Sequence, residues 1–275
     1  FPVLLDLPVW DRVVYDCSDL WSAPLSGEQS VVTRARRRVI ARAEARVVQR
    51  ADVIFCTSTH LHDEVVRAVG RERAGRVHTL ENGVEYDVFA GDHAAPDGVL
   101  PAGFDGTVLG FVGGLKPKLD FALLAEVMTR RPDWLLLLVG PDGTGGHPDL
   151  QRLLRLPNVV WPGAVPADEV PGYLSLVDVG VMPYLSSPYN DAVFPLKLFE
   201  FLAAGKPVVG TNLPSTASYV EPNVYSHLRT DDADEVVAAC EAVVDSDSRL
   251  VGRRREVART RDWADVFGEM LRLVD

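Results

Sequence analysis

Short apolar runs alternate along the chain with amphipathic stretches. VVYD (13–16) and DVIFCTS (52–58) end in polar residues, the pattern of buried strands. Between them lies TRARRRVIARAEARVVQR (33–50), where Ile40, Ala43 and Val47 recur at helical spacing. A second helix is predicted near residues 60–69. VHTLENGVEYDVF follows, and its Asn82-Gly83 pair signals a turn. AGDHAAPDGVLPAG (90–103) is rich in Gly, Ala, Pro and Asp and reads as a linker.

Beyond the linker the alternation is regular. Strands are predicted at TVLGFVG (107–113), WLLLLVG (134–140), NVVWPG (158–163), DVGVMPY (178–184) and PVVGT (207–211). Helical stretches lie between them at FALLAEVMTRR (121–131), near 149–155 and at VPGYLSLV (170–177), and further helices follow from Asp231 onward. WLLLLVG is too apolar to be half exposed, so it belongs in the middle of a parallel sheet. Strands alternating with helices define an α/β fold with parallel sheets. The part before the linker follows the same grammar with fewer units. Two Rossmann-like lobes are expected, the N-terminal one (1–92) incomplete in this chain and the C-terminal one spanning 93–258.

FPLKLFEFLAAGKPVVGT (194–211) raises the first chemical question. Pro195 suits the first helical position and Gly205 the position past the end. Leu196, Leu198, Phe199 and Leu202 are expected to be buried. Lys197 and Glu200 are about 300° apart at roughly 100° per residue, and so lie near one stripe. A lysine in the first turn opposes the helix dipole. Two readings stand: a surface i,i+3 ion pair, or an anion site with Lys197 beside free N–H groups.

The chain has 275 residues, 47% of them hydrophobic, enough for one large core or two smaller ones. No run of 18 apolar residues appears, so no spanning segment is expected. Cys17, Cys56 and Cys240 are too far apart for a metal motif or disulfide framework, which suits a reducing compartment. The net charge of −11 argues against nucleic-acid binding. It is uneven: the first 90 residues hold 12 Lys and Arg against 13 Asp and Glu, so the acid excess lies further on. Within the near-neutral part, Arg34, Arg38, Arg42, Arg46 and Arg50 recur every four residues as one drifting basic stripe. It is either a solvated face or a contact for anionic lipid headgroups or a phosphorylated acceptor.

In parallel α/β sheets, ligands sit beyond the carboxyl ends of the strands. That rule selects Gly113-Gly114, GPDGTGG (140–146), PGAVP (162–166) and LSSPYNDAVFP (185–195). A diphosphate fits between Gly113-Gly114 and Lys197, where the missing side chains let backbone N–H groups approach. Glu200, one turn deeper, can accept from a pair of sugar hydroxyls.

These segments, in this order and spacing, resemble GT-B glycosyltransferases of the family-4 type, near the bacterial exopolysaccharide and teichuronic-acid branch. The resemblance covers roughly residues 50–270, and 178–211 is its most specific part. It implies transfer of a sugar from a UDP- or GDP-sugar to a saccharide or lipid-linked acceptor. A cytoplasmic protein without a cofactor is expected, peripheral at most on the inner face of the membrane, and no metal is expected to be required, because Lys197 and helix N–H groups can stabilise the leaving diphosphate. The resemblance implies that Gly113, Gly114, Lys118 and Lys197 hold the donor diphosphate. Glu200 would hold the ribose, and the backbone of Pro162, Gly163, Ala164 and Val165 would meet the nucleobase. Asn190, Asp191 and Phe194 would face the donor sugar, and Lys197 would also stabilise the leaving diphosphate. The final helix (259–275, with Trp263) is expected to cross back to the first lobe. The first Glu of the family's Glu-x7-Glu motif falls at Ala192, and the usual Lys-Gly is replaced by Lys118-Leu119.

Asp19, just past a strand end, is a candidate general base for the acceptor hydroxyl, or else a cap for the next segment. His60, His62 and His147 read as surface residues. DDAD (231–234) imitates a metal-binding carboxylate pattern but starts a helix after Thr230, so capping explains it. Two alternatives remain open: a non-hydrolysing nucleotide-sugar epimerase, and a degenerate transferase that binds the nucleotide sugar without turnover.

Overall fold

A computed structural model describes residues 5, 7, 9–21, 23, 31–244 and 249–275. The elements run β1 (Val14–Cys17), α1 (Val31–Arg50), β2 (Val53–Cys56), α2 (Thr59–Val69), β3 (Val77–Thr79) and α3 (Tyr86–Phe89). Then come β4 (Val108–Val112), α4 (Phe121–Arg130), β5 (Leu135–Val139), α5 (Pro148–Leu153), β6 (Val159–Gly163) and α6 (Val170–Ser175). The chain continues with β7 (Val179–Pro183), α7 (Pro188–Ala192), α8 (Lys197–Ala203), β8 (Val208–Thr211) and β9 (Tyr225–Leu228). It closes with α9 (Ala233–Val244), α10 (Leu250–Arg259) and α11 (Trp263–Val274). Among the described residues, no helix is long and apolar enough to cross a membrane.

The chain forms two compact units. The first comprises Phe1–Asn82, Ser187–Phe194 and Ala264–Asp275. Its sheet has the order β1-β2-β3, all parallel. The central strand β2 is buried along its whole length, as a strand covered on both faces must be. Ile54 and Cys56 pack with Leu61, Val65 and Val69 of α2 on one face. Val53 and Phe55 pack with Leu80 and with Met270, Leu273 and Val274 of α11 on the other. Ser58 caps α2: its hydroxyl accepts from the Leu61 N–H at 3.2 Å and donates to the Ala192 carbonyl at 2.8 Å. That second bond ties α7 into this unit.

The second unit comprises Gly83–Ser186 and Pro195–Trp263. Its six parallel strands have the order β6-β5-β4-β7-β8-β9. The chain proceeds outward through β4, β5 and β6, then returns to the other side of β4 with β7. The direction of winding therefore reverses between β4 and β7, the crevice where such sheets take ligands. Residues 83–92, grouped by the sequence with the first lobe, lie in this second unit. The Tyr86 N–H donates to the Asp262 carboxylate at 3.2 Å and the Arg259 guanidinium stacks 4.4 Å from the Tyr86 ring centroid. Asn82-Gly83 forms no turn. Gly83 is needed instead for close approach: a Cβ there would lie 2.8 Å from the Trp263 ring and 2.9 Å from the Arg261 carbonyl oxygen.

Helix α8 packs on the sheet where a strand residue is small. Gly180 of β7 lies under Phe201 of α8, where a Cβ would fall 2.5 Å from the ring. Gly205, at φ +78°, ends α8 in the left-handed region as its position predicts. Behind it, the buried Arg254 donates to the Gly205 and Asn223 carbonyls at 3.0 and 2.8 Å, so this inward charge is hydrogen-bonded.

Gly180→Ala should force Phe201 off its seat and lower stability by about 1–3 kcal/mol in urea unfolding. A change below about 0.5 kcal/mol, the scale of an ordinary surface substitution, would refute this packing.

Candidate functional site

Three neighbouring strands of the second unit reach the carboxyl rim on a glycine. Gly113 after β4, Gly140 after β5 and Gly163 at the end of β6 have φ of +130°, +140° and +88°. Hydrogen bonds join them edge to edge: the Gly113 N–H donates to Val139 O and the Gly140 N–H to Gly163 O, both at 2.7 Å. A Cβ on Gly140 would collide with the Gly113 carbonyl, and one on Gly113 with the end of the Lys197 side chain. Only glycine allows both the backbone conformation and this proximity. The rim is a strip of bare backbone with one ammonium lying on it.

That ammonium comes from the first residue of α8. The helix begins at Lys197, two residues later than Pro195 suggests. Pro195 and Leu196 form a tight entry in which the Phe199 N–H already donates to Leu196 O at 3.1 Å. Leu196 is exposed at 39%, against the expectation that it is buried, because it precedes the helix and escapes its inward face. Leu198, Phe199 and Leu202 are buried as expected.

Lys197 and Glu200 are both partly buried. Neither makes an ion pair within 4.0 Å among the described residues, so the surface-pair reading fails on distance. Burial pushes the Lys197 ammonium below the usual lysine range; the Glu200 charge opposes that shift and the nearby Lys116 charge adds to it. Burial likewise pushes the Glu200 carboxyl up, and the Lys197 charge partly restores it. The Lys197 ammonium also lies 5.7 Å from the Phe111 ring centroid, a weak cation–π contact.

Lys116 is exposed, and its side chain runs past Gly114 and Gly143, each of whose Cβ positions would be 3.5 Å from it. Lys118 turns elsewhere, 5.3 Å from the Tyr184 ring centroid. The structure thus gathers Gly113, Gly114, Lys116, Lys197 and Glu200. Pro162 and Ala164 are exposed at the end of β6, next to Trp161, whose indole N–H donates to the Gly140 carbonyl at 2.9 Å.

The remaining candidates belong to the first unit. Asp19 accepts a hydrogen bond from the Tyr189 hydroxyl at 2.9 Å. Asn190 is fully buried, its N–H donating to the Ser187 hydroxyl at 3.2 Å. Asp191 is partly exposed. Phe194 is buried, and its carbonyl accepts from the Asn82 side-chain amide at 2.7 Å. Arg34, Arg38, Arg42, Arg46 and Arg50 are all exposed along α1, and Arg50 donates to the Leu5 carbonyl at 2.9 Å.

His60 lies beside Glu64, and His62 beside Asp63, on the surface of α2. His147 caps α5, its ring accepting from the Asp149 N–H at 3.3 Å. At DDAD, Thr230 and Asp232 accept from the Asp232 and Asp234 N–H groups, which is capping. Among the described residues, no three His, Cys, Asp or Glu side chains are grouped to hold a metal. Lys116, Trp161 and Tyr189 were not candidates from sequence. Only Trp161 carried a usable signal: proline inside a strand pattern marks an edge or a bulge, which re-aims its neighbour.

Residues 106–246 match the family model described as glycosyl transferases group 1. A protein of Bacillus subtilis (strain 168), TuaH, named as a glycosyltransferase of teichuronic acid biosynthesis, is 52% identical over 276 residues. The alignment covers 99% of this chain and 69% of that protein. Anabaena Alr3699/HepE, solved with UDP-glucose, superimposes with a TM-score of 0.71 at 20% identity, over 95% of this chain and 71% of that one. Sucrose-phosphate synthase from Thermosynechococcus elongatus gives 0.72 at 20% identity, over 94% and 66%. These structures share the GT-B fold.

Two charges held apart in a partly buried place weaken the fold. A lysine with a lowered folded pKa destabilises while charged, and is relieved as pH rises through that pKa. A carboxyl with a raised folded pKa destabilises once ionised. Lys197→Met/Glu200→Gln should therefore raise stability near pH 7 by about 0.5–2 kcal/mol, with the lysine's share shrinking toward pH 10. A double variant less stable than wild type in urea would show that the two charges hold the helix in place.

Proposed function

The chain belongs to the glycosyl transferases group 1 family, and on that premise we propose that it transfers a sugar from a nucleoside-diphosphate sugar to a saccharide or lipid-linked acceptor of the cell surface. The observation that carries the donor assignment is the Lys197 ammonium lying on Gly113, at the winding reversal, with no ion-pair partner within 4.0 Å among the described residues. A diphosphate supplies the missing negative charge, and the bare backbone of Gly113-Gly114 lets it approach. Lys116 is the second cation at this position; Lys118 turns its charge to Tyr184.

As the bond from the sugar carbon to the diphosphate oxygen breaks, negative charge builds on the leaving group. Lys197 and Lys116 stabilise that charge more than they stabilise the bound donor, which is the condition for catalysis. Glu200 accepts from the ribose hydroxyls, and the backbone of Pro162, Gly163, Ala164 and Val165 meets the base. Asp19, oriented by the Tyr189 hydroxyl, takes the acceptor proton. UDP is the favoured nucleotide, since the Anabaena structure of the same fold holds UDP-glucose.

UDP or GDP should bind in the presence of EDTA, measured by calorimetry. Lys197→Ala should weaken the diphosphate by about 10- to 150-fold and leave the nucleoside almost unchanged, as for loss of a charged hydrogen bond. Glu200→Ala should weaken nucleoside and diphosphate alike, with Glu200→Gln milder. Lys116→Ala should cost more diphosphate affinity than Lys118→Ala. Equal losses of nucleoside and diphosphate in Lys197→Ala would sink the phosphate assignment.

The acceptor side carries a second expectation. The exposed stripe Arg34, Arg38, Arg42, Arg46 and Arg50 suits an anionic membrane surface, on the inner face where the thiols stay reduced. The protein should sediment with anionic liposomes and be released as salt rises. Equal sedimentation with neutral and anionic vesicles would leave α1 a solvated face.

A further inference from the structure

Neither the core nor the diphosphate cradle explains Trp161. It is 36% exposed, the one strand residue of the six-stranded sheet among the exposed large hydrophobics of the described residues. Its strand, β6, is an outer edge, paired among the described residues with β5 alone. The pairing is irregular at this point. Leu137 pairs with Val160 and Val139 with Gly163, so Trp161 and Pro162 together oppose the single residue Leu138. That is a bulge, which swings a side chain out of the regular alternation. Pro162 fits it, having no N–H to contribute to the ladder.

The redirected indole is fixed. Its N–H donates to the Gly140 carbonyl at 2.9 Å, at the carboxyl end of the neighbouring strand. A large flat ring is thus anchored by one edge, with part of its surface open, at the end of the glycine strip. Gly113 sits at the other end of that strip, two strands away, on the order of 10 Å. This matches the reach from a phosphate group to the base of the same nucleotide.

We propose that the Trp161 indole is the stacking platform for the nucleobase of the donor. The inference rests on the donor site proposed above and adds the residue that grips the base. A π-face accepts any base, so the platform supplies affinity, while selection among bases falls to the backbone of Pro162–Val165. The competing role is a clasp, in which the indole N–H merely ties β6 to β5.

Two substitutions separate the roles, since both remove the N–H and only one keeps an aromatic face. Dissociation constants for UDP, GDP and inorganic pyrophosphate are measured by calorimetry on wild type, Trp161→Phe and Trp161→Leu. Stacking predicts that Trp161→Leu weakens the nucleotide by about 5- to 150-fold, the usual range for one base–aromatic stack. Pyrophosphate affinity stays unchanged, and Trp161→Phe keeps most of the nucleotide affinity. Equal losses in Phe and Leu, or no loss in either, would overturn the platform. Wild type that binds neither nucleotide would overturn the donor site itself, and the platform with it. Lys197→Ala weakening UDP while Trp161→Leu does not would remove the platform alone.

Discussion

The second unit is organised around one close approach: the Lys197 side chain lying on the α-carbon of Gly113. The neighbouring glycines make close approach possible here and along the rim. Gly113 cannot carry a side chain, and neither can Gly140, whose α-carbon packs on the Gly113 carbonyl. The N–H of Gly113 is held by β5 and that of Gly140 by β6, so the three strand ends are locked in line. Gly180 lets Phe201 settle on β7, so that α8, the helix that begins with Lys197, packs directly on the strand. A packing contact deep in the sheet and a charge at its edge thus belong to one helix.

That charge is held where folding alone would not put it. A first-turn lysine opposes the helix dipole, burial disfavours its charged form, and Lys116 repels it. Glu200 gives partial relief from beyond ion-pair distance. A structural pair would be closer, or would be replaced by apolar side chains of similar volume. The arrangement makes energetic sense for a site that meets an anion: the electrostatic penalties borne without the anion are offset when it binds, which adds to its affinity.

Sequence and structure agree most closely where one local rule suffices. The strand and helix alternation from β4 to β8 is visible as period and composition, because parallel strands covered on both faces read as continuous apolar runs. Gly205 was legible as a helix stop, and Gly113-Gly114 as an open strand end. The Lys197–Glu200 stripe follows from helical geometry alone. What was not legible depends on partners far away in the chain. Gly83 follows Asn82 as a turn would have it, yet Trp263 demands the glycine. Pro195 signals a helix start, but the helix begins at Lys197. Lys116 and Lys118 are equivalent on paper, and only the Tyr184 ring and the Gly114–Gly143 surface tell them apart. β9 escapes notice because its last three residues are only half-buried and it pairs with β8 in parallel, after a connection that contains the 3-10 helix Pro214–Tyr219.

Ala192 shows how a departure from a motif can be structural rather than accidental. The resemblance places the first of two paired glutamates there, and the chain has a methyl group. The residue is fully buried in the core of the first unit, among Ile54, Leu61 and Val65. Its carbonyl accepts from Ser58, and the same hydroxyl caps α2. A glutamate at 192 would need either to bury a carboxylate among aliphatic side chains or to pull the segment out and uncap the helix, each costing about 1–3 kcal/mol or more. The adjacent Asp191 is partly exposed and has no such conflict. The backbone of this segment is therefore fixed by packing first. The carboxylate that this segment leaves partly exposed is that of Asp191, with a side chain one methylene shorter than the motif expects.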